Sequence, residues 1–170
     1  MTKMKAITIL QPWATLAVSL DRSGKPLKSV ETRSWKTSYR GSLAIHAGKT
    51  VPDMFFMGMS EADMDAFFSV GLYGDKAILC LPYGSVIGKV TLVDCVPIEK
   101  LYGGSLDTAR ERAFGNWEPG RYGWILANPI RYMNPIPARG KQGIWEWEEP
   151  IGWMTGKGET VKTGDSGKLI

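Results

Sequence analysis

Acid is nearly missing from two stretches of this chain, and histidine, cysteine and long apolar runs are scarce throughout. Among 170 residues there are one histidine and two cysteines. Cys80 and Cys95 are too few for a disulfide framework, and no Cys/His spacing reads as a zinc site. No apolar stretch reaches the roughly 18 residues that a membrane-spanning helix needs, so no membrane role is expected. Lys3 and Lys5 ahead of Ala6–Leu10 look like the start of a signal peptide. However, Gln11-Pro12-Trp13 interrupts the run and no clean small-residue cleavage site follows. The cytoplasm is the expected location. There is no Gly-x-Ser-x-Gly elbow for a hydrolase triad. Neither Gly115-Asn-Trp-Glu-Pro-Gly nor Arg139-Gly-Lys-Gln-Gly has the P-loop pattern. No cofactor and no metal is expected.

What is present is positive charge, unevenly spread. Arg22, Lys25, Lys28, Arg33, Lys36, Arg40 and Lys49 face a single carboxylate, Glu31, giving this stretch +6 where the whole chain carries +4. Residues 121–141 add Arg121, Arg131, Arg139 and Lys141 and no acid. Between them, residues 50–120 hold five bases and ten acids. A fold that joins the two basic stretches makes a one-sided positive surface, suited to an anionic partner. Aromatic rings interleave with the bases, and flat rings stack on unpaired nucleobases. Trp35 and Trp117 lie in polar surroundings and are the better stacking candidates. Trp124, Trp145 and Trp147 read as core.

The apolar pattern predicts mostly strands. Strands are expected at Ala6–Leu10, Gly41–Ala47, Tyr122–Ala127 and Ile144–Glu148, a long one at Ser85–Val96, and an extended segment at Ser29–Trp35. Helices are expected after Pro12, over 52–72 with Ser60 able to cap, and from Ser105 to Phe114. Gly88 marks a bulge or a close backbone approach. Strands separated by irregular insertions speak against a parallel βαβ sheet and for a small mixed α+β barrel. The domain is expected to span 1–150, and the Gly- and Lys-rich 151–170 to be a mobile tail.

Within the basic stretch, Lys28, Glu31 and Arg33 are the residues best suited to chemistry. In an extended chain Glu31 and Arg33 share a face, while the pattern leaves the direction of Lys28 open. A carboxylate beside a guanidinium stays ionised and can act as a base or accept from the exocyclic amine of a nucleobase. A partly desolvated amine can serve as nucleophile or proton shuttle. The plainer reading is a surface ion pair. His46, on a strand, is either structural or a direct contact.

The motifs, taken in order, resemble the ASCH domain family, related to the PUA-like RNA-binding barrels. They are Gln11-Pro12-Trp13-Ala14, Lys28-Ser-Val-Glu31-Thr-Arg33-Ser-Trp35, Tyr39-Arg40-Gly41 and Ile45-His46-Ala47-Gly48-Lys49. Ile87-Gly88-Lys89-Val90, Gly120-Arg121-Tyr122-Gly123-Trp124 and Pro137–Trp145 follow. The resemblance covers about residues 5–148. It implies a PUA-like mixed β-barrel with two or three surrounding helices and a cleft lined by the motif residues. Some short members remove the acetyl group from acetylated cytidine, using the motif lysine with a nearby threonine and a glutamate; others bind or cut nucleic acid. Here Glu31 stands where those amidohydrolases have threonine, and Pro26 where the family usually has glycine.

The expected function is nucleic-acid binding, with RNA as the expected ligand, in a basic cleft that holds a single strand or a modified nucleotide. The expected contacts are Arg33, Trp35, Tyr39, Arg40, His46, Lys49, Trp117, Arg121, Tyr122, Arg139 and Lys141. The alternative is an amidohydrolase or ribonuclease using Lys28 and Glu31. A third reading has a protein partner.

Overall fold

The computed structural model describes residues 2–151; of the tail expected over 151–170, all but residue 151 lies outside the described residues. Six strands form one sheet: β1 (Thr2–Ile9), β2 (Val30–Arg33), β3 (Gly41–Ala47), β4 (Ser85–Pro97), β5 (Tyr122–Pro137) and β6 (Ile144–Glu149). Their order is β2-β5-β4-β3-β1-β6. Only β1 and β3 run parallel; the other neighbours are antiparallel. Four helices accompany the sheet: α1 (Trp13–Ala17), α2 (Glu61–Ser69), α3 (Gly74–Leu79) and α4 (Ala109–Ala113), with a 3-10 turn at Ile98–Leu101.

The closed barrel expected from the motifs is not formed by these ladders. Among the described residues, the sheet order begins at β2 and ends at β6. β2 has four residues and pairs with β5 along one edge. Towards its other edge a side chain takes the place of a ladder: Arg33 Nη2 donates to the Thr8 carbonyl of β1 at 2.9 Å. The sheet therefore curls until β2 approaches the C-terminal end of β1, and the seam between them stays open.

Alternation along β1 and β3 builds two cores. Ile7, Ile9, Leu43 and Ile45 pack with Ala14, Ala17 and Val18 from the α1 region and with Trp124. On the opposite face Ala6, Ala44, Tyr132, Trp145 and Trp147 pack together. Period-two alternation is what allows one strand to serve both. Gly88 has the two roles expected of it. The β4–β5 register shifts beside it, and a Cβ there would overlap the Ile130 carbonyl oxygen.

Several elements differ from the sequence reading: four helices stand where two or three were expected, α3 being the addition; β1 starts at Thr2, not Ala6; and the helix expected over 52–72 covers Glu61–Ser69. α4 starts at Ala109, capped by Thr108, whose Oγ1 accepts from the Glu111 amide at 3.2 Å; Ser105 does not open it. β5 runs ten residues past Ala127, through three prolines. Pro129 falls within one register shift against β4, between Ala127 and Ile130, and Pro135 within another, between Arg131 and Ile136; such irregular ladders tolerate proline.

Candidate functional site

The seam between β1 and β2 opens into a cavity of about 560 Å³. Thr8, Ile9 and Leu10 form one wall, and Glu31 to Trp35 the other. Trp13, Phe114, Gly115, Asn116 and Arg121 complete it. A second cavity of about 820 Å³ lies beside it and shares Thr8, Leu10, Arg33 and Trp35 with the first. Its remaining lining comes from Ile7 of β1, His46 of β3, Gly48–Thr50 after β3, and Arg139–Gly143 between β5 and β6. Two segments about ninety residues apart in sequence thus meet on one surface. Of the expected site residues, Glu31, Arg33, Trp35 and Arg121 line the first cavity. Arg33, Trp35, His46, Lys49, Arg139 and Lys141 line the second.

Glu31 is held from both sides. Arg33 Nε lies 3.0 Å from its Oε1, as the shared strand face predicts, and Lys28 Nζ lies 3.5 Å from Oε2. The direction of Lys28 is inward. The residue is 1% exposed, and Nζ donates to the Val30 carbonyl and to the Phe114 carbonyl, the latter at 3.0 Å. It does not line either cavity. Glu111 sits against the same lysine. Its carboxylate accepts from the Ser29 amide at 2.5 Å and the Val30 amide at 3.2 Å. Burial pushes this carboxyl above its ordinary value, against the opposing pull of Lys28 and the two amides.

Glu111 was missed in the sequence, and the reason is visible. Thr108-x-x-Glu111 has the spacing of a helix capping box, which accounts for Glu111 as a local capping partner. Thr108 does cap the helix, but the Glu111 side chain reaches across to β2 instead.

Trp35 is 36% exposed, and its ring meets Trp124 edge-on at 4.7 Å between centroids. The Trp124 indole N–H donates to the Trp35 carbonyl, fixing the turn after β2. In the second cavity the His46 ring is buried, with Nε2 3.0 Å from the Ala138 carbonyl. Because a carbonyl only accepts, Nε2 carries the hydrogen and Nδ1 is a bare acceptor; Nδ1 has no hydrogen-bond partner among the described residues. Desolvation lowers the His46 pKa, and the neighbouring Lys49 charge adds to this, while the Ala138 bond opposes it. Gly140 fits against this ring: a Cβ there would lie 2.7 Å from Nδ1. Thr8 Oγ1 donates to the Lys141 carbonyl at 3.1 Å. These two contacts tie the 139–143 loop to β3 and β1.

Other expected contacts lie elsewhere. Trp117 is 6% exposed, packed with Val30 and Ile98, and its indole N–H donates to the Glu111 carbonyl, so its faces are not open to a base. Arg40 is held by the Thr37 and Tyr39 carbonyls and by Asp94 at 2.8 Å. Tyr39 and Tyr122 pack against the main core, and the Tyr39 hydroxyl donates to the Ser42 carbonyl at 2.5 Å. None of these four lines either cavity. Among the described residues, no group of three His, Cys, Asp or Glu side chains is placed to hold a metal ion. No described helix is long and apolar enough to cross a membrane.

No protein-family model matches the chain. Over 147 residues it is 27% identical to activating signal cointegrator 1 of Homo sapiens, and equally to that of Mus musculus, across 85% of this chain. The chain spans 22% of the length of these curated relatives. Among solved structures, an ASCH protein from Zymomonas mobilis is 15% identical, covering 90% of this chain and 88% of that one with a TM-score of 0.46. A mutant of that protein gives 15% identity, coverage of 85% and 90%, and a TM-score of 0.47. By its sequence motifs the chain resembles the ASCH domain proteins.

Proposed function

We propose that this protein binds single-stranded nucleic acid, RNA in the first instance, across the two joined cavities. One observation carries the reading: Arg33 and Trp35 form a common wall between two cavities whose rims hold Lys49, Arg139, Lys141 and Arg121. Among the described residues none of these four has an ion-pair partner, whereas Arg40, outside the cavities, does. Cations without carboxylate partners around a cleft favour an anionic polymer. The half-exposed Trp35 ring supplies a stacking face. Glu31, with lone pairs left after its two cationic neighbours, can accept from the exocyclic amine of a base. The likeness to ASCH proteins agrees with an RNA-related role.

The hydrolytic alternative asks Lys28 to reach a substrate. Its amine is directed into the protein and bonded to two backbone carbonyls, an arrangement that suits a strut better than a nucleophile. Fluorescence anisotropy with a labelled single-stranded oligoribonucleotide tests the proposal. Trp35→Ala is expected to weaken binding by about 1–3 kcal/mol, the usual worth of one stacked base, and Trp35→Phe by less. No binding by the intact protein, or no effect of Trp35→Ala, would remove the reading.

A further inference from the structure

The two cavities differ in chemistry, and the difference matches the two ends of a nucleotide. The first has a carboxylate, a carboxamide and an aromatic wall, Glu31, Asn116, Trp13 and Trp35, beside Arg33 and Arg121, whose Nη2 is turned back to the Thr32 carbonyl at 3.3 Å. The second has no acid; Lys49, Arg139 and Lys141 surround it. These three come from two separate segments, and the segment carrying Arg139 and Lys141 is fixed in place. The Ala138 carbonyl is held by His46 Nε2, and the Lys141 carbonyl by Thr8 Oγ1. Gly140 lies so close to the His46 ring that a side chain there would push the loop away. Arg33 stands between the two cavities, but its Nε faces Glu31 and its Nη2 is bonded to Thr8, so it divides them more than it serves either.

We infer that the cavities divide one nucleotide between them: the base enters the Glu31–Asn116 side, and its phosphate sits among Lys49, Arg139 and Lys141. This rests on the nucleic-acid reading above and deepens it. On the first side the Glu31 carboxylate answers the charges of Lys28 and Arg33, and with Asn116 it can bond the N–H and carbonyl edge of a base. Three cations on the second side repel nothing that a phosphate carries, and guanidinium and ammonium together suit its oxygens. The ligand class is therefore a nucleotide and not a bare nucleoside. The phosphate chemistry is the same at a 5′ end, a 3′ end or within a strand.

The test is calorimetry of the full chain with cytidine, 5′-CMP, 3′-CMP and a short single-stranded RNA. At least one CMP is expected to bind about tenfold or more tighter than cytidine, the scale of one charge-assisted contact. Which isomer gains tells which side of the ribose faces the second cavity. Arg139→Ala with Lys141→Ala should bring CMP down to the level of cytidine. Lys49→Ala, on a different segment, should do part of the same and guards against a folding defect in the double variant. If cytidine binds as tightly as both isomers, or if the phosphate gain survives both sets of substitutions, the division is wrong. RNA binding that persists in that case leaves the broader reading standing. If neither RNA nor CMP nor cytidine binds, both fall together.

Discussion

The Arg33 guanidinium spans the open seam of the sheet to the Thr8 carbonyl, 2.9 Å away, in the place where a backbone ladder between β2 and β1 would close a barrel. The same side chain holds Glu31 at 3.0 Å. Arginine can do both because its planar group reaches the carbonyl with Nη2 while its delocalised charge lies against Glu31; lysine offers one compact charge. Arg33→Lys is therefore expected to behave more like Arg33→Ala than like the parent. Both should lose about 1–3 kcal/mol of stability in urea unfolding, the cost of leaving Thr8 and Glu31 short of a partner. A lysine variant as stable as the parent would show that the bridge contributes little.

Lys28 invites a sharper test, because burial and chemistry predict different things for it. Its amine joins two backbone carbonyls and faces Glu31 and Glu111. Lys28→Met fills the same space without the charge, leaving Glu31 with Arg33 alone, Glu111 with only the Ser29 and Val30 amides, and the two carbonyls without their donor. Breaking a buried pair from one side typically costs about 3–5 kcal/mol. The expected result is a large drop in the urea midpoint. A Lys28→Met protein of unchanged stability would mean that the lysine is not a strut, and would return it to the list of reactive groups.

Much of this was legible in the sequence, and the gaps have physical causes. The i, i+2 spacing placed Glu31 and Arg33 on one face, because strand geometry is local. Gly88 was readable for the same reason. Lys28 was not, since its direction depends on carbonyls at Val30 and, far away in sequence, Phe114. Charge counting found Lys49, Arg139 and Lys141, and the fold brings them to one cavity. It equally suggested Arg40, which Asp94 holds elsewhere, because a count cannot see a partner 54 residues away. Trp117 was misjudged from its polar sequence neighbours; its ring is covered by Val30 and Ile98 from other elements.

His46 should leave a signature in the pH dependence of stability. Its folded pKa is depressed below 6.5, first by desolvation and then by Lys49. Thr8 and Gly140 face it from β1 and the 139–143 loop, and Lys49 and Lys141 are the nearby charges of the cavity. For a depressed pKa, the unfolded chain takes up the proton first as pH falls. The stabilising contribution is complete above the unfolded value near 6.5 and is lost as pH drops through the folded value. One proton gives at most about 1.4 kcal/mol per pH unit. Urea unfolding between pH 7.5 and 5 should show this decline in the parent, and His46→Gln should flatten it. Parallel curves for the two proteins would mean that His46 titrates alike folded and unfolded.

Salt dependence distinguishes the cavity cations from those that only look similar in the sequence. Lys49, Arg139 and Lys141 line the second cavity, while Arg40 is bound to Asp94 outside it. If the three contact phosphates of a single strand, they displace about three condensed counterions. The logarithm of affinity should then fall against the logarithm of salt with a slope near about −2. Arg139→Ala with Lys141→Ala should make the slope shallower by more than one unit. Arg40→Ala should leave it unchanged, because that guanidinium is already neutralised within the protein. The measurement is anisotropy of a labelled oligoribonucleotide at four or five salt concentrations for each variant. A slope that responds to Arg40 as strongly as to Arg139 and Lys141 would mean that the strand runs over a broad basic face and does not enter the cavities.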